Sequence, residues 1–246
     1  MHVISTRGGD RCSVVEALSR GLARDGGLYV PEHWLRFTVD DFNGRDTLAD
    51  IAAVLLRPFL ADSPLADQVD AICTEALEFD TPLVALNDGR THLLELFHGP
   101  TGAFKDVGAR VLAACLSRLR APDAPDLTVL VATSGDTGSA VAGAFHRRKG
   151  FKVAVLFPDR GVSPRQKYLL SCFGDNVRSF AVDGTFDDCQ AMVKAAFANA
   201  ALMAAVPLTS ANSISIGRLL PQMAYYAQAA LRHARSGGRP MNFAIP

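Results

Sequence analysis

From about residue 82 onward, compact apolar runs of strand length alternate with longer stretches whose apolar residues recur every three or four positions. The compact runs are residues 93–97, 127–132, 151–157 and 177–182; the helical spacing covers 107–119, 139–149, 164–173 and 186–198. This alternation predicts an α/β fold, a doubly wound and mostly parallel sheet with helices on both faces, because parallel strands need long crossovers and are buried on both sides. A further helix is expected over 214–234. After Gly237-Gly238-Arg239-Pro240, residues 241–246 read as a buried strand. A parallel strand normally feeds a loop and a crossover helix, so the expectation is that the chain is the front part of something longer.

The first 80 residues lack this alternation and read as a small helical and irregular region. Ser13-x-x-Glu16 is a capping box that opens a helix through Ala23, stopped by Gly26-Gly27. Leu28-Tyr29-Val30-Pro31 reads as extended, and 47–60 and 64–77 as two amphipathic helices. No candidate catalytic cluster appears in this part. The chain therefore divides into 1–80 and 81–246.

With 246 residues, 49% hydrophobic and 20% charged, the chain has the composition of an ordinary globular protein. Its 25 basic and 25 acidic residues give a net charge of +0, so the broad footprint of a nucleic-acid or anionic-membrane binder is missing and any anion must be held by a local site. The five cysteines, Cys12, Cys73, Cys115, Cys172 and Cys189, are odd in number and form no C-x-x-C pair, which fits small packed thiols in a reduced chain and implies no disulfide and no metal. The start lacks a signal-peptide core, and the longest apolar stretch, 195–206, is too short for a bilayer and contains Asn199. The expected location is cytoplasmic.

Three loops can carry chemistry. His98-Gly99-Pro100-Thr101-Gly102-Ala103-Phe104-Lys105-Asp106 follows a strand candidate and delivers one lysine to the mouth of a helix. The positive end of the helix dipole disfavours an ammonium there and suits a Schiff-base lysine, although a solvated lysine at a helix start reads the same way. Thr133-Ser134-Gly135-Asp136-Thr137-Gly138 joins a strand to a helix, where small residues let N–H groups and hydroxyls converge on a carboxylate or phosphate. Asp136 either caps the helix or accepts a proton from a cofactor hydroxyl. Asn212 and Ser213 lie near a helix start, with Arg218 about a turn and a half further on. The three are either amide, hydroxyl and guanidinium donors to a phosphate or a plain cap with a surface arginine. His98 reads as a loop hydrogen-bonder before an acid/base group, His146 as a complement to a helix C-terminus, and Cys115 and Cys172 as packed thiols.

Taken in order, S-T-R-G-G, D-G-G-L-Y-V-P, E-L-F-H-G-P-T-x-A-F-K-D, A-T-S-G-D-T-G, S-A-N-S-I and R-L-L-P-Q resemble the threonine synthase family across the whole chain. The resemblance implies a fold type II pyridoxal-phosphate enzyme, with 1–80 as the N-terminal region and 81–246 as an incomplete cofactor-binding catalytic domain. It implies that Lys105 carries pyridoxal 5'-phosphate and shuttles protons, with Ser134, Gly135, Asp136, Thr137 and Gly138 beside the cofactor and Asp136 near its phenolic oxygen. Thr133, Ser134 and Thr137 would hold the substrate carboxylate; Asn212, Ser213 and Arg218 would hold its phosphate. The implied reaction converts O-phospho-L-homoserine and water to L-threonine and phosphate, in a monomer or homodimer.

Two positions depart from the family pattern: Gly102 stands where a larger residue is usual, and Ser215 stands where Asn is frequent. The Gly-rich cradle for the cofactor phosphate would lie past Pro246, as would the residue that contacts the pyridine nitrogen. A threonine/serine dehydratase or a phospho-lyase shares the fold and the lysine, and a truncated fragment without catalysis is the alternative from another class. Phosphate release against ammonia release, with product identification, separates the enzymatic readings.

Overall fold

A computed structural model describes residues 1–245. The chain opens with a three-stranded antiparallel sheet in which β1 (His2–Ser5) lies between β2 (Arg11–Ser13) and β3 (Tyr29–Pro31). Between β2 and β3 runs α1 (Val14–Arg20). Ser13 Oγ accepts the Glu16 N–H at 3.2 Å and the Glu16 carboxylate accepts the Ser13 N–H at 3.1 Å, which closes the predicted capping box. The helix ends at Gly21, two residues short of the expected Ala23. The sheet adds to the helical front region two short strands that the sequence did not announce, beside the expected extended segment at 28–31: strands of three or four residues are too short to show a period of two. Two helices follow as expected, α2 (Leu48–Leu60), capped by Thr47, and α3 (Val69–Ala76), which is preceded by a 3-10 turn over Ala66–Gln68.

The strand expected at 93–97 is shorter and belongs elsewhere. β4 (Leu83–Ala85) and β5 (His92–Leu94) form a separate antiparallel hairpin. Its turn is closed locally by the Asp88 carboxylate, which accepts the N–H groups of Arg90 at 3.0 Å and Thr91 at 2.8 Å. A local partner is entropically cheaper to reach than a distant sheet edge, and residues 95–97 run on as an irregular lead into the lysine loop.

The α/β part then unfolds as α4 (Lys105–Leu119), β6 (Leu127–Ala132), α5 (Asp136–Phe145), β7 (Phe151–Pro158), α6 (Pro164–Ser171), β8 (Val177–Val182), α7 (Phe186–Ala198), α8 (Ala200–Ala205), β9 (Leu208–Thr209), α9 (Ile216–Leu219) and α10 (Met223–Arg235). Four strands pair in parallel in the order β8-β7-β6-β9. Alternate residues face opposite ways. Val129, Val131, Val153, Val155 and Val177 join one large core shared with α4, α5 and the N-terminal helices, while Leu130 and Leu156 pack with Cys189, Val193 and Phe197 of α7 on the other face. The doubly wound expectation is met.

The single helix expected over 214–234 is broken into α9, a 3-10 turn at Leu220–Gln222 and α10, because Pro221 has no N–H to continue the ladder. Residues 241–245 form no strand; Phe243 instead meets Tyr226 edge-on with ring centroids 5.2 Å apart. Apolar character alone does not make a strand, which exists only when a neighbour takes its N–H and C=O groups, and Pro246 lies outside the described residues. Cys12, Cys73, Cys115 and Cys189 are buried, whereas Cys172 is exposed at the end of α6, contrary to the expectation of a packed thiol. That helix buries Leu170 and little else, and Cys172 follows it on the exposed side. Among the described residues, no helix is long and apolar enough to cross a membrane.

Candidate active site

In the parallel sheet β7 and β8 lie on one side of β6 and β9 on the other. The strand order therefore reverses beside β6, and the crevice outside the carboxyl ends of β6 and β9 is the switch point where open α/β sheets bind ligands. A cleft of about 910 Å³ opens there, lined among others by Lys105, residues 133–137, Asn212 and Ser213. Its size suits a small organic ligand.

Lys105 is the first residue of α4, and its largely covered side chain places Nζ 3.3 Å from Asp136 Oδ2 and 4.8 Å from the centre of the Phe104 ring. The loop before it is held by Asp106, whose buried carboxylate accepts the Thr101 N–H at 2.9 Å and the Thr101 hydroxyl at 2.7 Å. Burial raises the Asp106 carboxyl above its ordinary value, and the Thr101 hydrogen bonds oppose that rise. Gly102 sits in this loop at φ 71°, with its N–H donating to the Gly99 carbonyl at 3.0 Å. A left-handed turn of this kind favours glycine, so the departure at 102 shapes the loop for Lys105.

Asp136 does not cap α5. The N-cap is Gly135, no side chain caps it, and the Asp136 carboxylate turns to Lys105. Thr133 is buried, and its Oγ1 accepts the N–H groups of Gly135 and Gly138 at 3.0 Å each while its hydroxyl donates to the Gly135 carbonyl at 3.0 Å. With its hydroxyl engaged by the loop, Thr133 lines the cleft and also holds the turn in shape. Ser134 is exposed in the cleft, with Asp136 and Thr137 half-buried beside it. Gly138 lies beneath the loop and does not line the cleft.

After β9, Asn212 Oδ1 accepts from the Ser213 hydroxyl at 3.3 Å and from the Ile214 N–H at 3.4 Å, leaving the Asn212 amide nitrogen directed to no protein group. Arg218 is elsewhere. It is 1% exposed, donates from Nη1 to the Ala211 carbonyl at 3.0 Å, and leaves Nε without a partner, as Ser215 Oγ is. Burial lowers its guanidinium to about 10. The arginine read as a phosphate ligand or a surface residue is thus neither in this conformation: it braces the 211–215 loop from below. His98 is outside the cleft, 2.7 Å from Glu95 and stacked on Phe97, as a loop hydrogen-bonder.

The cleft also holds residues that no loop motif announces. Phe186, Gln190, Lys194 and Phe197 line it from one face of α7, Gln166 from α6, and Arg20 and Arg24 from the N-terminal region. The spacing 186, 190, 193–194, 197 is a helical face, and that signal was available in the sequence. The pair Arg20 and Arg24 had no such signal, because only the fold brings residues near 20 to strands beyond 127.

Residues 74–230 match the pyridoxal-phosphate dependent enzyme family and residues 2–77 the threonine synthase N terminus. The chain is 38% identical over 239 residues to the threonine synthase of Escherichia coli (strain K12), covering 96% of this chain and 55% of that protein. To the Haemophilus influenzae threonine synthase it is 40% identical over 219 residues, covering 87% and 50%. The crystal structure of the Escherichia coli threonine synthase superimposes with a TM-score of 0.85 at 38% identity, covering 94% of this chain and 54% of that one. The pyridoxal-phosphate-bound threonine synthase from Brucella melitensis superimposes with a TM-score of 0.84 at 38% identity, over 94% and 52%. The chain spans about half the length of the relatives it matches. It belongs to the pyridoxal-phosphate dependent enzyme family, fold type II, and its relatives there are threonine synthases.

Proposed function

We propose that this chain carries the lysine side of a threonine synthase active site, which converts O-phospho-L-homoserine and water to L-threonine and phosphate with pyridoxal 5'-phosphate. The observation that carries the reading is Lys105 at the head of α4, 3.3 Å from Asp136, in a switch-point cleft flanked by the loops after β6 and β9. These residues fit the cofactor: the cleft has the volume, the lysine amine reaches it from a covered stem, and an adjacent carboxylate faces that amine. When bound, the cofactor supplies an electron sink for charge developing on substrate carbons.

The chain's own residues do the rest. Lys105 is the covalent attachment point for the cofactor's aldehyde and moves protons to and from the substrate carbons beside it. Asp136 orients the Lys105 amine, and its carboxylate would help hold the cofactor's phenolic hydroxyl. Ser134, Thr137 and the N–H groups opening α5 bind the substrate carboxylate; Asn212 and Ser213 bind its phosphate. Two anion sites held apart fix which bond breaks and select against unphosphorylated amino acids.

The first prediction tests this reading. Added pyridoxal phosphate gives the protein the visible absorption of a lysine-bound cofactor, borohydride fixes the label on the peptide containing Lys105, and Lys105→Ala abolishes both. Release of phosphate from O-phosphohomoserine with equal formation of threonine identifies the reaction. Phosphate without threonine marks a phospho-lyase, and ammonia released from threonine marks a dehydratase. A protein that takes up no cofactor counts against the proposal.

A further inference from the structure

One wall of the cleft comes from the N-terminal region. The turn after α1 contributes Leu22, Ala23, Arg24 and Gly26, and Arg20 joins them from the last turn of α1. This turn is fixed from several directions. Asp10 accepts the Arg24 backbone N–H at 2.9 Å and the Tyr29 hydroxyl at 2.6 Å. Asp25 accepts the N–H groups of Gly9 and Gly27, each at 2.9 Å, and the Ser5 hydroxyl at 2.7 Å. Thr209 donates its hydroxyl to the Ser19 carbonyl at 2.8 Å, which ties α1 to β9. The motifs S-T-R-G-G and D-G-G-L-Y-V-P thus interlock, and what they hold at the cleft is Arg24.

The charges of the cleft are unbalanced. Arg20, Arg24, Lys105 and Lys194 line it against one carboxylate, Asp136. Arg20 is paired with Glu16 at 3.1 Å and Asp10 at 3.7 Å, and Lys105 with Asp136 at 3.3 Å. Among the described residues, neither Arg24 nor Lys194 has a carboxylate within 4.0 Å. In a chain of zero net charge, this places an excess of positive charge in one concave surface, offset at Arg24 only from longer range by Asp10 and Glu16, and such an excess concentrates anions there. A guanidinium matches phosphate oxygens in geometry and keeps its charge at any working pH.

We infer that Arg24 is a specificity-determining residue that binds the phosphate monoester of the substrate from the N-terminal wall, in the cleft that also presents Asn212 and Ser213. The inference rests on the reading of the cleft as the site of a phosphorylated amino acid. Inorganic phosphate is the probe, measured by equilibrium dialysis with and without pyridoxal phosphate, on the parent chain, Arg24→Ala, Arg24→Lys, Arg24→Gln and Arg36→Ala, an exposed arginine outside the cleft. Arg24→Ala and Arg24→Gln are expected to bind phosphate about tenfold more weakly, the size of one charge-assisted contact at an exposed site. Arg24→Lys recovers part of the loss, Arg36→Ala matches the parent, and cofactor absorption is the same in all five proteins. With O-phosphohomoserine, Arg24→Ala raises KM by the same factor and leaves kcat within about twofold, as loss of uniform binding requires. Equal phosphate affinity in the parent and Arg24→Ala, or no phosphate binding by the parent, overturns the inference. Failure to take up cofactor overturns the proposed function instead, while the phosphate titration still reads Arg24.

Discussion

Thr133 shows how one hydroxyl can organise a binding loop. Its oxygen is the shared acceptor for two buried N–H groups, those of Gly135 and Gly138, and the turn that presents Ser134 and Asp136 is wound around it. Leaving a buried N–H without a partner costs about 1–3 kcal/mol. Thr133→Val, which keeps the shape and removes the acceptor, orphans the Gly135 N–H while the Gly138 N–H keeps the Gly135 carbonyl at 3.1 Å, and is therefore predicted to destabilise the protein by about 1–3 kcal/mol. Thr133→Ser, which keeps the oxygen, should cost under about 1.5 kcal/mol for the lost methyl. Denaturant unfolding of the two variants decides the point: equal losses would mean that the methyl packing, not the hydroxyl, holds the loop. Arg218 carries the same lesson with the opposite polarity. An arginine seven residues past Ala211 reads as a ligand on paper, yet the helix that carries it turns its head inward to the Ala211 carbonyl, at the cost of a desolvated charge with a free Nε.

At the scale of elements, two helices set the width of the site. α4 begins with Lys105 and α9 follows the Asn212–Ser213 loop, and the two cross at Gly108, where an added Cβ would collide with the Arg218 carbonyl oxygen and lie 3.0 Å from the Arg218 Cα. In a helix interior, Gly→Ala ordinarily gains about 0.5–1 kcal/mol. Here the obstacle is backbone, which cannot rotate away, and overpacking costs about 1–3 kcal/mol. Gly108→Ala is predicted to destabilise, against helix propensity, and to weaken phosphate binding by moving α9 away from Lys105. A thermal melt that rises in the variant would remove the close approach from the account. The elements themselves were legible in the sequence where their signal is long: residues 127–132, 177–182 and 186–198 fold as expected because six or more patterned residues outweigh local accidents. β9 is two residues long and β1 to β3 three or four, so their existence is decided by partners far away in sequence, which no local pattern encodes. Of the three loops of the site, the one at 133–138 is legible for the same reason the long strands are, since it joins two patterned elements, while the other two show through their own residue types; the α7 face and the N-terminal wall carry no such local signature.

In the whole molecule, the N-terminal sheet, α2, α3 and one face of the parallel sheet share a single apolar core, and α10 is clamped to the front of the chain by Gln228, which donates to the Asp46 carbonyl at 3.0 Å, and by Arg232, which donates to the Thr81 carbonyl at 3.1 Å. The core is common, but the polar restraints differ in their response to acid. Asp10 is held below its ordinary 3.8, first by the Arg24 N–H, and Asp25 below the same value, first by the Ser5 hydroxyl. A carboxyl whose folded value is depressed stabilises the fold above its unfolded value and loses that stabilisation as the pH falls. Asp106 is shifted the other way by burial, so protonation there relieves the fold instead of loosening it. As the pH drops from about 5 to about 2.5, the prediction is that the knot around Asp10 and Asp25 loosens before the parallel sheet does. Hydrogen exchange read by mass spectrometry should then show the amides of Gly9, Arg24 and Gly27 losing protection while those of β6 and β7 keep theirs. Asp25→Asn should show the same loosening already at neutral pH, since an amide offers one acceptor where the carboxylate serves three donors. Simultaneous loss of protection in both regions would mean that the shared core, and not these carboxylates, governs the acid response. Because Arg24 is anchored through Asp10, phosphate affinity should fall over the same pH range in which the Arg24 amide becomes exchangeable, and a phosphate affinity that stays level there would separate the anchor from the binding of the anion.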